Sequence, residues 1–296
     1  MTQDCDRTGA GMLLGLAGVA IFSLTLPMTR IAIGALDPVF VTVGRALGAA
    51  TLAALWLLWR RAPLPGPQHL PALAAVAGGC VIGFPLLTSF ALRSVPAAHG
   101  AVLIGILPLC TALCSALRGG ERPGPAFWTL AVLGAALVTG FALRDGGGAL
   151  QVADLLLFGA VVCAALGYAE GARLARTLGS EETISWALLL TVPVLLPFLY
   201  WYSTGHDTGT ARATAPVWLA FAYLCACSMY LGFFFWYRGL ALGGVARVGQ
   251  VQLLQPFLTL LGAAALAGEP LRPAHAGFTL AVATVVAAGR RVQVAR

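Results

Sequence analysis

The chain contains no lysine: all 18 of its basic residues are arginine, and only 10% of its 296 residues are charged. So little polar surface cannot coat a water-soluble body of this length, which excludes an ordinary soluble domain. Chemical motifs are scarce as well. No GxxxxGK[ST] phosphate loop occurs, so nothing points to direct driving by ATP. The four histidines, His69, His99, His206 and His275, stand apart from one another; no HExxH is present, and no aspartate falls at the centre of an apolar span. These absences count against a membrane-embedded enzyme, and no catalytic residue or cofactor is assigned.

Seven cysteines, Cys5, Cys80, Cys110, Cys114, Cys163, Cys225 and Cys227, lie almost wholly inside apolar stretches. An odd number in that setting reads as free thiols packed like small hydrophobes. Neither Cys110 with Cys114 nor Cys225 with Cys227 has a histidine at metal-ligand spacing, so no metal site is expected. The net charge of +7 comes from arginines scattered singly between apolar spans, without the basic stripe that a nucleic-acid partner needs. Loops that meet anionic lipid headgroups account for it better.

What the chain has in abundance is apolar sequence: 59% hydrophobic residues and a mean hydropathy of +0.87. Ten apolar spans can be traced, at 11–33, 38–59, 70–92, 97–117, 126–143, 154–171, 184–202, 216–237, 245–268 and 274–289. Each is long enough, or nearly so, to cross ~30 Å of hydrocarbon as a helix. The first is too long for a signal-peptide core and is expected to be a retained helix. The Gly-rich stretch 144–153 is a seam, and 203–215 is a loop on turn-residue grounds.

The ten spans divide into two related fives. Pro108 and Pro256, and likewise Glu121 and Glu269, are 148 residues apart, half of the 296. In both copies the Pro-to-Glu spacing is 13, and each Glu sits in a Gly-rich turn after small and apolar residues. A repeat of this kind constrains the whole fold. The expected architecture is an all-α integral membrane protein of ten transmembrane helices in two repeats, 1–148 and 149–296. Because five is odd, the second repeat enters the bilayer from the opposite face, giving a 5+5 inverted repeat. Arginine counts set the orientation. With the N-terminus inside, one side collects eleven (residues 7, 60, 61, 118, 122, 173, 176, 238, 290, 291 and 296) and the other five (30, 93, 144, 212 and 272). Both termini are therefore expected in the cytoplasm, with Arg45 and Arg247 inside the membrane.

The stretch YRGLALGGVARVGQVQLLQPFLTLLGAAALAGEP at 237–270, its partner ALRSVPAAHGAVLIGILPLCTALCSALRGGERP at 91–123, and the ten-span duplication together resemble the drug/metabolite transporter superfamily. The resemblance is to its EamA-type ten-helix exporters and covers nearly the whole chain. Within them the narrower likeness is to YddG-type exporters of aromatic amino acids. It implies a secondary transporter of the bacterial inner membrane that exports small amphipathic metabolites, aromatic or apolar amino acids first, by alternating access through a central cavity. Other metabolites or drugs remain open as cargo, and proton coupling is open too. Where many family members carry Glu before the ninth-helix proline, this chain has Gln255, which removes a titratable group there.

Polar groups inside a span are costly in lipid and should face the bundle interior, a partner or water. Gln252 and Gln255 share a helix face and either line the cavity or bridge helices. Arg247 either meets a substrate carboxylate or snorkels to the membrane edge. His99 either carries a proton or satisfies a carbonyl at a helix end. Tyr230 and Phe234, one turn apart, either stack on a planar substrate or belong to an aromatic belt, with Tyr168 and Trp186 as further pocket candidates. Glu170 is expected to pair with Arg173 or Arg176. Arg45, which resembles the Arg commonly found at that place in the family's first repeat, needs a partner that the sequence does not name and is either structural, the favoured reading, or substrate-binding. Glu121 and Glu269 are expected to cap loops or brace the repeats. Pro27, Pro85, Pro108, Pro193, Pro197 and Pro256 should kink helices and shape cavity walls.

Overall fold

A computed structural model describes residues 2–118, 124–145, 147–244 and 248–291. Eight helical stretches are long and apolar enough to cross a membrane: α1 Gly9–Ala32, α2 Pro38–Arg60, α3 Pro67–Ala91, α4 Ala97–Arg118, α5 Trp128–Asp145, α6 Val152–Leu174, α7 Ser180–Gly205 and α8 Ala215–Gly243. Two shorter apolar helices follow, α9 Val251–Ala267 and α10 Pro273–Ala288. The ten spans read from the sequence are thus ten helical segments. Leu13, Leu58, Val152, Val194, Tyr200 and Leu219 are all well exposed, so the outside of the bundle is apolar like the inside. That surface suits lipid, not water.

Local chemistry sets the helix ends. Asp37 accepts from the Val39 and Phe40 amides at 2.8 and 3.2 Å, and Pro38 occupies the first helical position of α2. Asp154 turns back to accept from the Gln151 amide at 2.8 Å and starts α6. At the far end of α9, Gly268 closes the helix with φ +67°, a conformation that glycine adopts without strain.

The packing repeats itself when the two halves are exchanged. α1 lies along α8 as α6 lies along α3; α4 packs on α6 as α9 packs on α1; and α2 meets α7, α4 meets α9 and α5 meets α10. Irregular turns fall at matching places too. α3 widens into π-helical turns at Ala77–Gly83, and α8 does so at Leu224–Leu231. α4 is interrupted between Ile104 and Leu107, just before Pro108, and a 3-10 stretch, Gly249–Leu254, leads into α9 just before Pro256. Each proline lacks the N–H that would bond the carbonyl four residues back.

Both exchanged pairs cross on glycine. A Cβ added to Gly79 on α3 would come 2.3 Å from the Cys163 carbonyl oxygen of α6, and one on Gly239 of α8 would come 2.8 Å from the Gly15 amide of α1. No side chain fits at either point, so backbone lies against backbone. Six thiols, Cys80, Cys110, Cys114, Cys163, Cys225 and Cys227, are free, and Cys5 lies outside the residues whose side chains are described.

Candidate functional site

Where the two halves meet, a cavity holds about 620 Å³ of empty space counted out to its open mouth. Seven helices line it: Phe22, Thr25 and Leu26 from α1, Arg45 from α2, Cys80 and Phe84 from α3, and Ala101, Ile104 and Pro108 from α4; from the second half come Ala164, Tyr168, Ser228, Phe233, Gln252, Gln255, Pro256 and Thr259. The interrupted parts of α3, α4, α8 and α9 all contribute, so the departures from regular helix are where the wall is.

Its polar groups are few and unevenly satisfied. Arg45 is 2% exposed, and its Nη2 donates to Ser228 Oγ at 3.0 Å. Ser228 and Thr25 share a further hydrogen bond of 2.8 Å. Nε and Nη1 of Arg45 have no partner among the described residues, and no described carboxylate lies within ion-pair distance. Both amide atoms of Gln252, and Oε1 of Gln255, are likewise without a described partner. Gln252 lies in the 3-10 stretch and Gln255 opens the α-helix that follows it, and both line the cavity. Phe22, Phe84, Tyr168 and Phe233 form the aromatic part of the wall, with Phe22 and Phe233 ring centroids 5.0 Å apart and edge-on.

Of the residues singled out in the sequence, Gln252, Gln255 and Tyr168 are brought together at the cavity. Tyr230 and Phe234 lie outside its wall and pack edge to face with ring centroids 4.6 Å apart; the Tyr230 hydroxyl is hydrogen-bonded to Ser185 of α7 at 2.9 Å, and Phe234 faces Trp56 of α2. Trp186 is half-buried against the helix core and does not line the cavity. Arg247 lies outside the described residues, as does Glu121. Glu170 pairs with Arg173 at 2.8 Å as expected and also with Arg118 of α4 at 3.0 Å, joining the two halves. Arg45 is what sequence reasoning undervalued. The signal was its position in mid-span with no acidic residue nearby.

His99 is 1% exposed and sits outside the cavity wall, at the start of α4. Its Nδ1 lies 2.6 Å from Asp145 at the end of α5, and its Nε2 lies 2.7 Å from Asp154 at the start of α6. Two ionised carboxylates only accept, whereas a neutral imidazole donates from one nitrogen alone. Both contacts are hydrogen bonds only when the ring or one acid holds an added proton. Asp145 also faces Arg272 at 3.8 Å and His275 at 3.9 Å. Beside this cluster Glu269 accepts from the Ala97 and Ala98 amides at 2.8 Å each, so an acid from the second half caps α4 of the first.

Ten apolar helices in two matching sets, enclosing a sparsely polar cavity at their junction, define a multi-pass membrane transporter of the two-repeat kind. The chain belongs to the EamA-like transporter family, whose model matches it twice, over residues 9–142 and 151–288. It is similar to the "Uncharacterized transporter YdeK" of Bacillus subtilis (strain 168), 48% identical over 97% of this chain and 99% of the relative. It is also similar to the "Probable terminal-alkyne amino-acid exporter" of Streptantibioticus cattleyicolor, 28% identical over 84% of each. One crystal structure of a protein 21% identical covers 96% of both chains at a TM-score of 0.66, a likeness that bears on the fold alone. Membership makes the chain a membrane transporter, a member of the drug/metabolite transporter superfamily, and not an enzyme.

Proposed function

We propose that this transporter exports small amphipathic metabolites, aromatic and apolar amino acids first among them, across the bacterial inner membrane. The carrier unit is two inverted five-helix repeats, 1–148 and 149–296, with both termini in the cytoplasm, and cargo crosses by alternating access at their junction. The observation that carries this reading is the cavity itself: unpartnered polar groups at Arg45, Gln252 and Gln255 face the same space as Phe22, Tyr168 and Phe233. A relative named as a probable exporter of a terminal-alkyne amino acid supports the cargo class. His99, held between Asp145 and Asp154 with Arg272, His275 and Glu269 around them, supports proton coupling through that cluster. Gln255 supplies no such group.

The test is reconstitution of the purified protein in liposomes with labelled phenylalanine, leucine and tryptophan under an imposed pH gradient. Saturable flux that unlabelled amino acids compete away is expected. Flux no faster than in protein-free liposomes, for every amino acid tried, overturns the cargo class.

A further inference from the structure

Resting on that transport reading, we infer that Arg45 is the anchor for a substrate carboxylate, so that the cavity takes small monocarboxylates with an apolar body and excludes amines, amides and dicarboxylates.

A guanidinium keeps its charge under all ordinary conditions, and holding one in a low-dielectric interior without a counter-charge costs several kcal/mol. Arg45 is in that position. It is 2% exposed in the middle of a bundle, its one described partner is the Ser228 hydroxyl, and Nε and Nη1 are open. A purely structural arginine would bond to a carboxylate or to carbonyls, as Arg30 does to the Leu92 carbonyl and Arg173 to Glu170. Arg45 instead lines the cavity. Nε and Nη1 open on opposite sides of the guanidinium, and either one, with the second hydrogen of Nη2, makes a fork for the two oxygens of a carboxylate.

Charge balance narrows the ligand. One guanidinium neutralises one negative charge, and among the described residues no second basic side chain lines the cavity. A dicarboxylate or a phosphate dianion would therefore leave a charge uncompensated. An amine would put a second cation beside Arg45. An α-amino acid supplies the carboxylate that a simple amine lacks, and its ammonium, which no described acidic residue of the cavity neutralises, has acceptors in Gln252 Oε1 and Gln255 Oε1, while Phe22, Phe84 and Phe233 take the apolar body. Gln255 in place of an acid fits the same arithmetic, since an acidic neighbour would serve as a counter-ion and compete with the substrate.

The experiment compares four probes that share a phenyl ring: L-phenylalanine, 3-phenylpropionate, L-phenylalaninamide and phenethylamine. Two readouts are taken on wild type, Arg45→Gln and Arg45→Lys: the ligand-induced shift in unfolding temperature in detergent, and competition against labelled phenylalanine exchange in liposomes. Wild type is expected to respond to the two carboxylates and not to the amide or amine. Arg45→Gln loses the response at least tenfold, while Arg45→Lys keeps part of it. Size-exclusion elution at the wild-type position shows that each variant is folded, and Arg45→Met stands in where Arg45→Gln is not. Equal responses to amide and acid, or wild-type exchange in Arg45→Gln, overturn the anchor and leave transport standing. A carboxylate-specific shift with no flux keeps the anchor and removes the transport reading.

Discussion

Cys80 and Ser228 occupy the same place in the two halves: they are 148 residues apart, each lies in a π-helical turn, and both face the cavity. Extra residues in a helical turn bring a side chain inward that regular helix would hold elsewhere, and such turns concentrate at functional sites. The duplicated position has diverged in chemistry. Ser228 accepts from Arg45, whereas Cys80 receives a weak, 3.9 Å contact from the Tyr237 hydroxyl. Ser228→Ala removes a hydrogen bond to a charged group, worth about 1.5–3 kcal/mol, and Cys80→Ala removes much less. The expected result is a larger drop in unfolding temperature and in phenylalanine exchange for Ser228→Ala, read by thermal melts and liposome flux. Equal losses in the two variants contradict it.

The unpaired guanidinium predicts how the carrier cycles. If an empty cavity must close around Arg45, its bare charge raises that barrier, and each 1.4 kcal/mol of the difference slows the step about tenfold. Exchange of labelled for unlabelled amino acid should therefore outrun net efflux by about tenfold or more. Measuring both fluxes in the same liposomes decides it, and equal rates count against the prediction.

His99 and Asp154 should separate coupling from carriage. His99→Phe and Asp154→Asn each remove a member of the buried cluster whose bonds demand an added proton. Accumulation driven by a pH gradient is expected to disappear in both, while exchange at equal pH persists within about threefold. Loss of exchange to the same extent as accumulation would assign the cluster to folding alone.

Gly79→Ala and Gly239→Ala should each weaken the bundle. The new methyl groups would stand 2.3 and 2.8 Å from backbone atoms of the facing helices, contacts that force the helices apart. Overpacking of this kind costs about 1–3 kcal/mol. Lower unfolding temperatures for both are expected, whereas Gly78→Ala, which meets nothing within 4 Å, should melt like wild type.

Glu269→Gln tests the brace between the halves. The carboxylate accepts from two backbone amides at 2.8 Å, and charge-assisted bonds are roughly twice as strong as neutral ones. A loss of about 1–2 kcal/mol in stability is expected, with Glu269→Ala losing more.

Helix existence and order were legible in the sequence because twenty apolar residues in a row leave the backbone one way to satisfy itself in lipid. The span read at 38–59 is Pro38–Arg60, and that at 97–117 is Ala97–Arg118. Smaller features were placed less well. The first helix, expected to kink at Pro27, breaks at Leu24, in the turn before that proline, where the Ser23 carbonyl loses its amide donor. The stretch 203–215 is part loop, yet α7 runs on to Gly205 and residues Thr210–Arg212 form a short 3-10 turn. Partners were the least legible. Arg45 meets Ser228 across 183 residues, and His99 meets Asp154 across 55. Helical spacing shows which face a residue shares but not which helix that face meets, so Tyr230 and Phe234 read alike with Tyr168, and only Tyr168 reaches the cavity.

The bare crossings of α1 with α8 and of α3 with α6 bear on motion as well as on tightness. Helices whose side chains interdigitate are geared and resist turning against each other, but rods touching along glycine have no teeth there. The smooth contacts join one half to the other, so under the proposed alternating access they are where one half would slide on its twin.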